Sequence, residues 1–195
     1  MTVKEIVWRA LLEAEHEQGR RRHPDLGSCA APLGLPRATV RRALRRPLEM
    51  GIVVIRPEGE VSLLDPQRLL LLWAGQRDPV RDLARSITLA LPAPEVEHLL
   101  PESYLLSGFG AVVAHLGGNA ICDYNRVICY GDPSLLPDRL THPAEAGTIL
   151  TVLTPDRWLS GPVVSLAQAF VDLFSTPGWP AARFIDHLLD LAWID

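Results

Sequence analysis

The stretch from Gly34 to Leu64, GLPRATVRRALRRPLEMGIVVIRPEGEVSLL, constrains this chain more than any other because its apolar and cationic residues segregate by period. Advancing about 100° per residue from Arg37, Val40, Ala43, Leu44, Pro47 and Leu48 fall within an apolar arc of roughly 140°, the width expected of a helix packed on one side. Arg41, Arg42, Arg45 and Arg46 fall on the other side with Ala38 and Thr39, and Glu49 is the nearby carboxylate. Pro47 has no N–H for the Ala43 carbonyl, so one bent helix is expected from about residue 36 to 50.

The flanks sharpen this reading. Ser28 is placed to cap a short helix running to Leu33, Gly34 supplies a turn, and Pro36 suits the first turn of the next helix. Two short helices joined by a glycine turn are the unit that reads DNA. After Met50-Gly51 the period becomes extended: Ile52 to Arg56 and Val61 to Leu64 flank Pro57-Glu58-Gly59-Glu60, the pattern of a hairpin. On Gly34, Thr39, Val40, Arg41, Met50, Gly51 and Ile52 the stretch resembles bacterial winged helix-turn-helix regulators. Pro36 stands where such proteins usually carry a hydroxyl cap. Glu58 and Glu60 at the hairpin tip repel phosphate, so the helix rather than the wing is expected to approach DNA.

Charge is unevenly distributed along the 195 residues. Residues 1–64 hold 11 Lys+Arg against 8 Asp+Glu, or +3, and the remainder holds 8 against 15, or −7. A basic first part and an acidic second part imply that the first alone meets nucleic acid. Lysine occurs once, at Lys4, so the abundance of arginine partly reflects overall composition. No opening segment has a signal peptide's apolar core, and Leu69 to Ala74 is too short to span a bilayer, so a cytoplasmic protein with no membrane partner is expected. Cys29, Cys122 and Cys129 show no CxxC spacing, and the six histidines form no HxxxH or HExxH pair. Neither a metal site nor a cofactor is expected.

The chain is expected to divide into a DNA-binding domain over 1–64, a helical connector over 65–85 and a mixed α/β domain over 86–195. Thr2 and Glu5 form a capping box ahead of the periodic Val3, Ile6, Val7, Ala10, Leu11 and Ala14, and Gly19 ends that helix. Arg20, Arg21, Arg22 and His23 read as a basic loop in which Arg21 and Arg22 are candidate phosphate contacts. Asp65-Pro66 starts the connector. Beyond it, strands are expected at 87–91, 120–123, 126–130 and 148–153. Helices are expected at 95–100, 109–116 and 180–192, with a further helix opened by a capping box at Ser165 and Gln168.

Tyr104-Leu-Leu-Ser-Gly-Phe-Gly-Ala-Val-Val-Ala-His-Leu, the extended Asn125 to Gly131, the strand ending Val152-Leu153-Thr154-Pro155, and Val164-Ser-Leu-Ala-Gln-Ala-Phe-Val-Asp-Leu together resemble the AbiEi-type antitoxins of type IV toxin-antitoxin loci. The resemblance covers residues 1–64 and about 100–190. It implies an α+β chain in which a winged helix-turn-helix precedes a degenerate nucleotidyltransferase-like antitoxin domain. It further implies repression of the protein's own promoter through an inverted repeat, a homodimer, and a cognate toxin as partner. On the likeness, Arg37, Thr39, Arg41, Arg42 and Arg45 would contact bases and phosphates, with Arg46 beside them on the arginine face.

Catalysis is not expected. Phosphoryl transfer needs paired carboxylates for Mg²⁺, and no Asp-x-Asp or Asp-x-Glu occurs within residues 100–160. Ser107 lacks a GxSxG elbow, Ser107-Gly108 reads as a strand-to-helix turn, and His115 is expected in the core, bonded to a backbone carbonyl. The alternatives to a repressor are a ligand-sensing regulator holding a metabolite near Ser107 to His115, and a protein-interaction module without DNA binding.

Overall fold

The computed structural model describes residues 1–192 and is a mixed α+β protein with two small sheets. Among the described residues no helix is long and apolar enough to cross a membrane. The chain forms two compact units, the first built on Met1–Gln76 and the second on Arg77–Leu188.

In the first unit, α1 (Val3–Gln18) begins with the Thr2–Glu5 capping box, in which Glu5 Oε2 accepts from both the Thr2 N–H and the Thr2 hydroxyl at 2.6 Å. Of the expected periodic set Ile6, Val7, Leu11 and Ala14 are buried, whereas Val3 is exposed and Ala10 half-buried; Glu5, Trp8, Arg9 and Leu12 are buried as well, so the helix is enclosed on every side from Glu5 to Arg9. Arg22–His23, expected in a loop, form the short strand β1, which pairs antiparallel with β3. Next come α2 (Leu26–Ala30) and a 3₁₀ turn over Ala31–Leu33. Asp25, not Ser28, caps α2: the Ser28 N–H donates to Asp25 Oδ1 at 2.7 Å, and Ser28 closes the box from the third helical position. Gly34 reverses the chain with φ 60°, a conformation that a Cβ would strain.

The expected single bent helix is two: α3 (Arg37–Ala43) and α4 (Arg45–Glu49), meeting at Leu44. Pro47 explains the break. It cannot donate to the Ala43 carbonyl, and the buried indole of Trp8 does so instead, at 2.9 Å. A proline in one helix is thereby matched by a tryptophan in another. Pro36 precedes α3 as its cap position, without a side-chain cap bond. The hairpin β2 (Val53–Ile55) and β3 (Val61–Leu63) completes a sheet of order β1-β3-β2. The Arg56 N–H donates to the Glu60 carbonyl at 2.9 Å across its tip.

Within residues 65–85 the helical pattern is interrupted at Gly75 and Pro79, and the helix ends at the first of these. Helix α5 (Pro66–Ala74), capped by Asp65, belongs to the first unit and buries Leu69, Leu70 and Trp73. From Arg77 the chain is in the second unit, where a 3₁₀ turn over Pro79–Asp82 leads directly into strand β4 (Leu83–Leu89). The strand thus starts four residues before the expected Ile87. At a sheet edge Leu83, Ala84 and Ser86 are exposed, so its first half carries no apolar run to announce it.

The second unit continues with α6 (Ala93–Leu99), β5 (Leu105–Ser107), α7 (Gly108–His115), β6 (Arg126–Tyr130), β7 (Thr148–Leu153), α8 (Leu166–Phe174) and, as far as Leu188, α9 (Trp179–Ala192). Its sheet has order β4-β7-β6-β5; β4/β7 and β5/β6 are antiparallel, and β6/β7 is parallel. The three residues of β5 give too short an alternation to be read from sequence. Residues 120–123, expected as a strand, are loop. On one side of this sheet Val96, Tyr104, Val127, Cys129, Leu150 and Val152 form an apolar cluster.

Beneath α8 lies a buried polar network. Asp172 Oδ2 accepts from the Ser107 hydroxyl at 2.7 Å and the Tyr130 hydroxyl at 2.8 Å, and Oδ1 from Gln168 Nε2 at 3.1 Å and Arg77 Nε at 3.4 Å. Arg77 also pairs with Asp82. This network corrects the expected second capping box: Ser165 does accept from the Gln168 N–H, but the Gln168 side chain turns inward to Tyr130 and Asp172.

Candidate nucleic-acid interface

The residues expected to meet DNA are placed by the split helix. Val40, Ala43, Leu44 and Pro47 are buried, so α3 and α4 have their orientation fixed by packing. Arg37, Arg41, Arg42, Arg45 and Arg46 are exposed, and Thr39 is half-buried. These cations differ in what holds them. Arg41 and Arg42 make no ion pair among the described residues. Arg45 Nε lies 3.7 Å and Arg46 Nη1 3.6 Å from the exposed carboxylate of Glu49, so one acid is shared by two guanidiniums. Pairs this exposed contribute little and exchange readily for a phosphate.

Arg37 is the most constrained of the five. Its Nη2 lies 3.5 Å from Asp25 Oδ2, and its guanidinium rests against the bare Cα of Gly27, where a Cβ would approach within 2.5 Å. Asp25 is held below the usual carboxylate range by the Ser28 N–H first and also by Arg37. Arg37 therefore ties the start of α3 to the cap of α2.

Of the other candidates, Arg21 is engaged: its Nε and Nη2 donate to Glu15 Oε1 at 3.1 and 3.0 Å. Arg22 lies in β1, opposite Ser62, and makes no ion pair among the described residues. At the hairpin tip the two acids are unequal. Glu60 is paired with Arg56 at 3.0 Å and accepts from the Ser62 hydroxyl at 2.8 Å, whereas Glu58 is exposed. Sequence alone does not single out Arg56, although its position four residues before Glu60 in a tight hairpin is the signal that pairs them.

The residues weighed for catalysis lie elsewhere. Ser107 ends β5 and Gly108 opens α7, the expected strand-to-helix turn. Ser107 is fully buried and its hydroxyl donates to the Asp172 carboxylate, not to an imidazole. His115 bonds the Val164 carbonyl at 2.8 Å, as expected, but it is exposed rather than in the core. The three cysteines are free thiols, and among the described residues no cluster of His, Cys, Asp and Glu is arranged to hold a metal.

Set against known protein families, curated proteins and solved structures, the chain matches none of them.

Proposed function

We propose that the first unit is a winged helix-turn-helix that binds double-stranded DNA, and that the protein is a transcriptional repressor. The order α1, β1, α2, α3 and α4, then the β2–β3 hairpin, supports this reading, with α3 as the recognition helix and the hairpin as the wing. The observation that carries it is the state of Arg41 and Arg42: exposed on α3, without an ion pair among the described residues, and backed by a buried apolar face. A guanidinium presented this way grips guanine O6 and N7 with two bonds, worth about 1 to 3 kcal/mol of discrimination. Arg45 and Arg46 serve phosphates, with Glu49 released as they bind. Arg22 extends the same role to β1.

The test is a fluorescence-anisotropy titration of the protein against its own upstream DNA at matched salt. Arg41→Ala is expected to weaken binding. Arg45→Ala is expected to flatten the salt dependence as well, since removing one cation from a phosphate lowers the slope by about 1. Unchanged affinity in Arg41→Ala and Arg42→Ala together removes the basis of the assignment.

The AbiEi-type likeness extends the proposal: a homodimer on an inverted repeat in its own promoter, no catalysis of its own, and a second unit that neutralises a basic toxin. The support for a toxin partner is the acidic balance of residues 77–188, which hold 7 Lys+Arg against 12 Asp+Glu, or −5. Co-purification with a neighbouring gene product tests it.

A further inference from the structure

The second unit holds a cleft of about 880 Å³ that the DNA-binding reading does not use. Its walls are largely apolar, from Leu91, Pro92, Pro94 and Val113, and among the described residues its charged lining groups are Glu97 and Asp123 alone. No described lysine, arginine or histidine lines it.

Glu97 is built into place rather than merely exposed there. Its Oε1 accepts from the Tyr124 hydroxyl at 3.0 Å. The Tyr124 ring is in turn stacked on Phe109, centroids 5.0 Å apart and planes 9° from parallel, and both rings meet the edge of Phe184. From the other side Glu97 lies over the bare Cα of Gly110 in α7, where a Cβ would collide with its carboxylate. Three aromatic rings and a glycine therefore fix one carboxylate in the cleft wall. It makes no ion pair among the described residues. Burial raises its pKa, an effect the Tyr124 bond only partly offsets. A half-buried carboxylate without a counter-charge is costly unless a cation arrives to pair with it.

We propose that this cleft binds a small organic cation, an amine or guanidinium carried on an apolar frame, with Glu97 as its counter-ion and Asp123 at the entrance. Anionic ligands, nucleotides and carboxylic acids included, are rejected by the same two carboxylates. The inference is independent of DNA binding, since every residue it uses lies in the second unit. It moves the ligand-sensing alternative from the Ser107 to His115 stretch, of which Val113 alone lines the cleft, and gives its ligand a charge.

The experiment is isothermal titration calorimetry on the full chain with tryptamine, phenethylamine, agmatine and 1,5-diaminopentane, and with indole-3-propionate as an anion on the same frame as tryptamine. At least one amine is expected to bind at one per chain, and the acid not at all. Glu97→Gln keeps an acceptor for Tyr124, and is expected to weaken the amine on the order of tenfold, the size of a charge-assisted bond. Asp123→Lys places a cation at the exposed rim and is expected to abolish binding without touching the core, which keeps the test decisive should Glu97→Gln fail to fold. Failure of every amine to bind, equal binding of indole-3-propionate, or amine affinity unchanged in Asp123→Lys overturns the proposal.

Discussion

Arginine does opposite work in α3 and at the start of the second unit. In the first, Arg41 and Arg42 stand in solvent on a helix whose far side is buried. In the second, Arg77 has a side chain 1% exposed and is bonded to Asp172, Asp82 and the Tyr130 hydroxyl. Burial alone would lower the Arg77 pKa, but Asp172, then Tyr130 and Asp82, raise it above the ordinary guanidinium value. The residue type says nothing about which role applies. What decides is whether carboxylates lie within reach once the chain has folded, and of the two that hold Arg77 one, Asp82, is five residues away and the other, Asp172, is 95 residues away in sequence.

The comparison is broken most severely at Asp172. Asp172→Ala leaves Arg77 buried with one of its two carboxylates gone and takes the acceptor from the Ser107 and Tyr130 O–H groups. The expected loss is about 3 to 5 kcal/mol of stability in urea denaturation. A loss below about 1 kcal/mol would mean that water reaches the network and that Arg77 is no more committed than the surface arginines. The first unit has a smaller internal counterpart. Trp8→Phe keeps a ring but leaves the Ala43 carbonyl buried without a donor, and is expected to cost about 1 to 3 kcal/mol. Restoring a donor in the same background with Pro47→Ala should recover part of it, which no simple loss of packing would allow.

The surface arginines are expected to reverse this pattern. Arg41→Ala should change stability by no more than about 0.5 kcal/mol while weakening DNA binding by about 1 to 3 kcal/mol. Arg45→Ala should cost less in DNA binding than Arg41→Ala, because Arg45 shares Glu49 with Arg46 and surrenders that pair on binding. Equal losses at both positions would show that pairing in the free protein does not matter.

How much of this can be read from the chain follows the range of each interaction. The Thr2–Glu5 box, the Gly34 turn, the buried arc of Val40, Ala43, Leu44 and Pro47, and the hairpin around residues 57–60 all depend on residues close in sequence, and their patterns are visible there. Sequence misleads where a distant partner intervenes. Gln168 has the spacing of a cap residue, but Tyr130 and Asp172 take its amide. Arg22 and His23 look like loop until β3 pairs with them. Pro47 foreshadows the split at Leu44, whereas nothing local announces the Trp8 indole that completes it. In the candidate DNA face the residue types are legible and their pairing is not: nothing nearby in sequence separates Arg37, tied to Asp25, from Arg41, which is not. The cleft is the least legible, since its one signal is a glycine at position 110 inside an otherwise apolar helix.

The smallest expected effect, and the one that separates the units by sign, is their response to acid. His23 is buried in β1, and neither ring nitrogen has a hydrogen-bond partner among the described residues. Burial, and then Arg20, lowers its pKa below the ordinary imidazole value. The unfolded chain therefore takes up a proton near pH 6.5 that the folded chain refuses, so this part of the stability is whole above that pH and declines as pH falls toward the depressed folded value. Glu97 in the second unit behaves conversely. Its raised pKa means that the folded state takes its proton first, so the penalty present at neutral pH is relieved as pH falls through the raised value. Amide hydrogen exchange, read separately on peptides from residues 1–76 and 77–188 at about pH 7.5 and about pH 5.5, should show protection falling in the first set and holding or rising in the second. His23→Phe should remove the fall, and Glu97→Gln the rise. A parallel decline in both units that survives His23→Phe would assign acid sensitivity to neither residue. It would also remove the contrast between a unit that buries a base without a hydrogen-bond partner and one that buries an acid without a counter-charge.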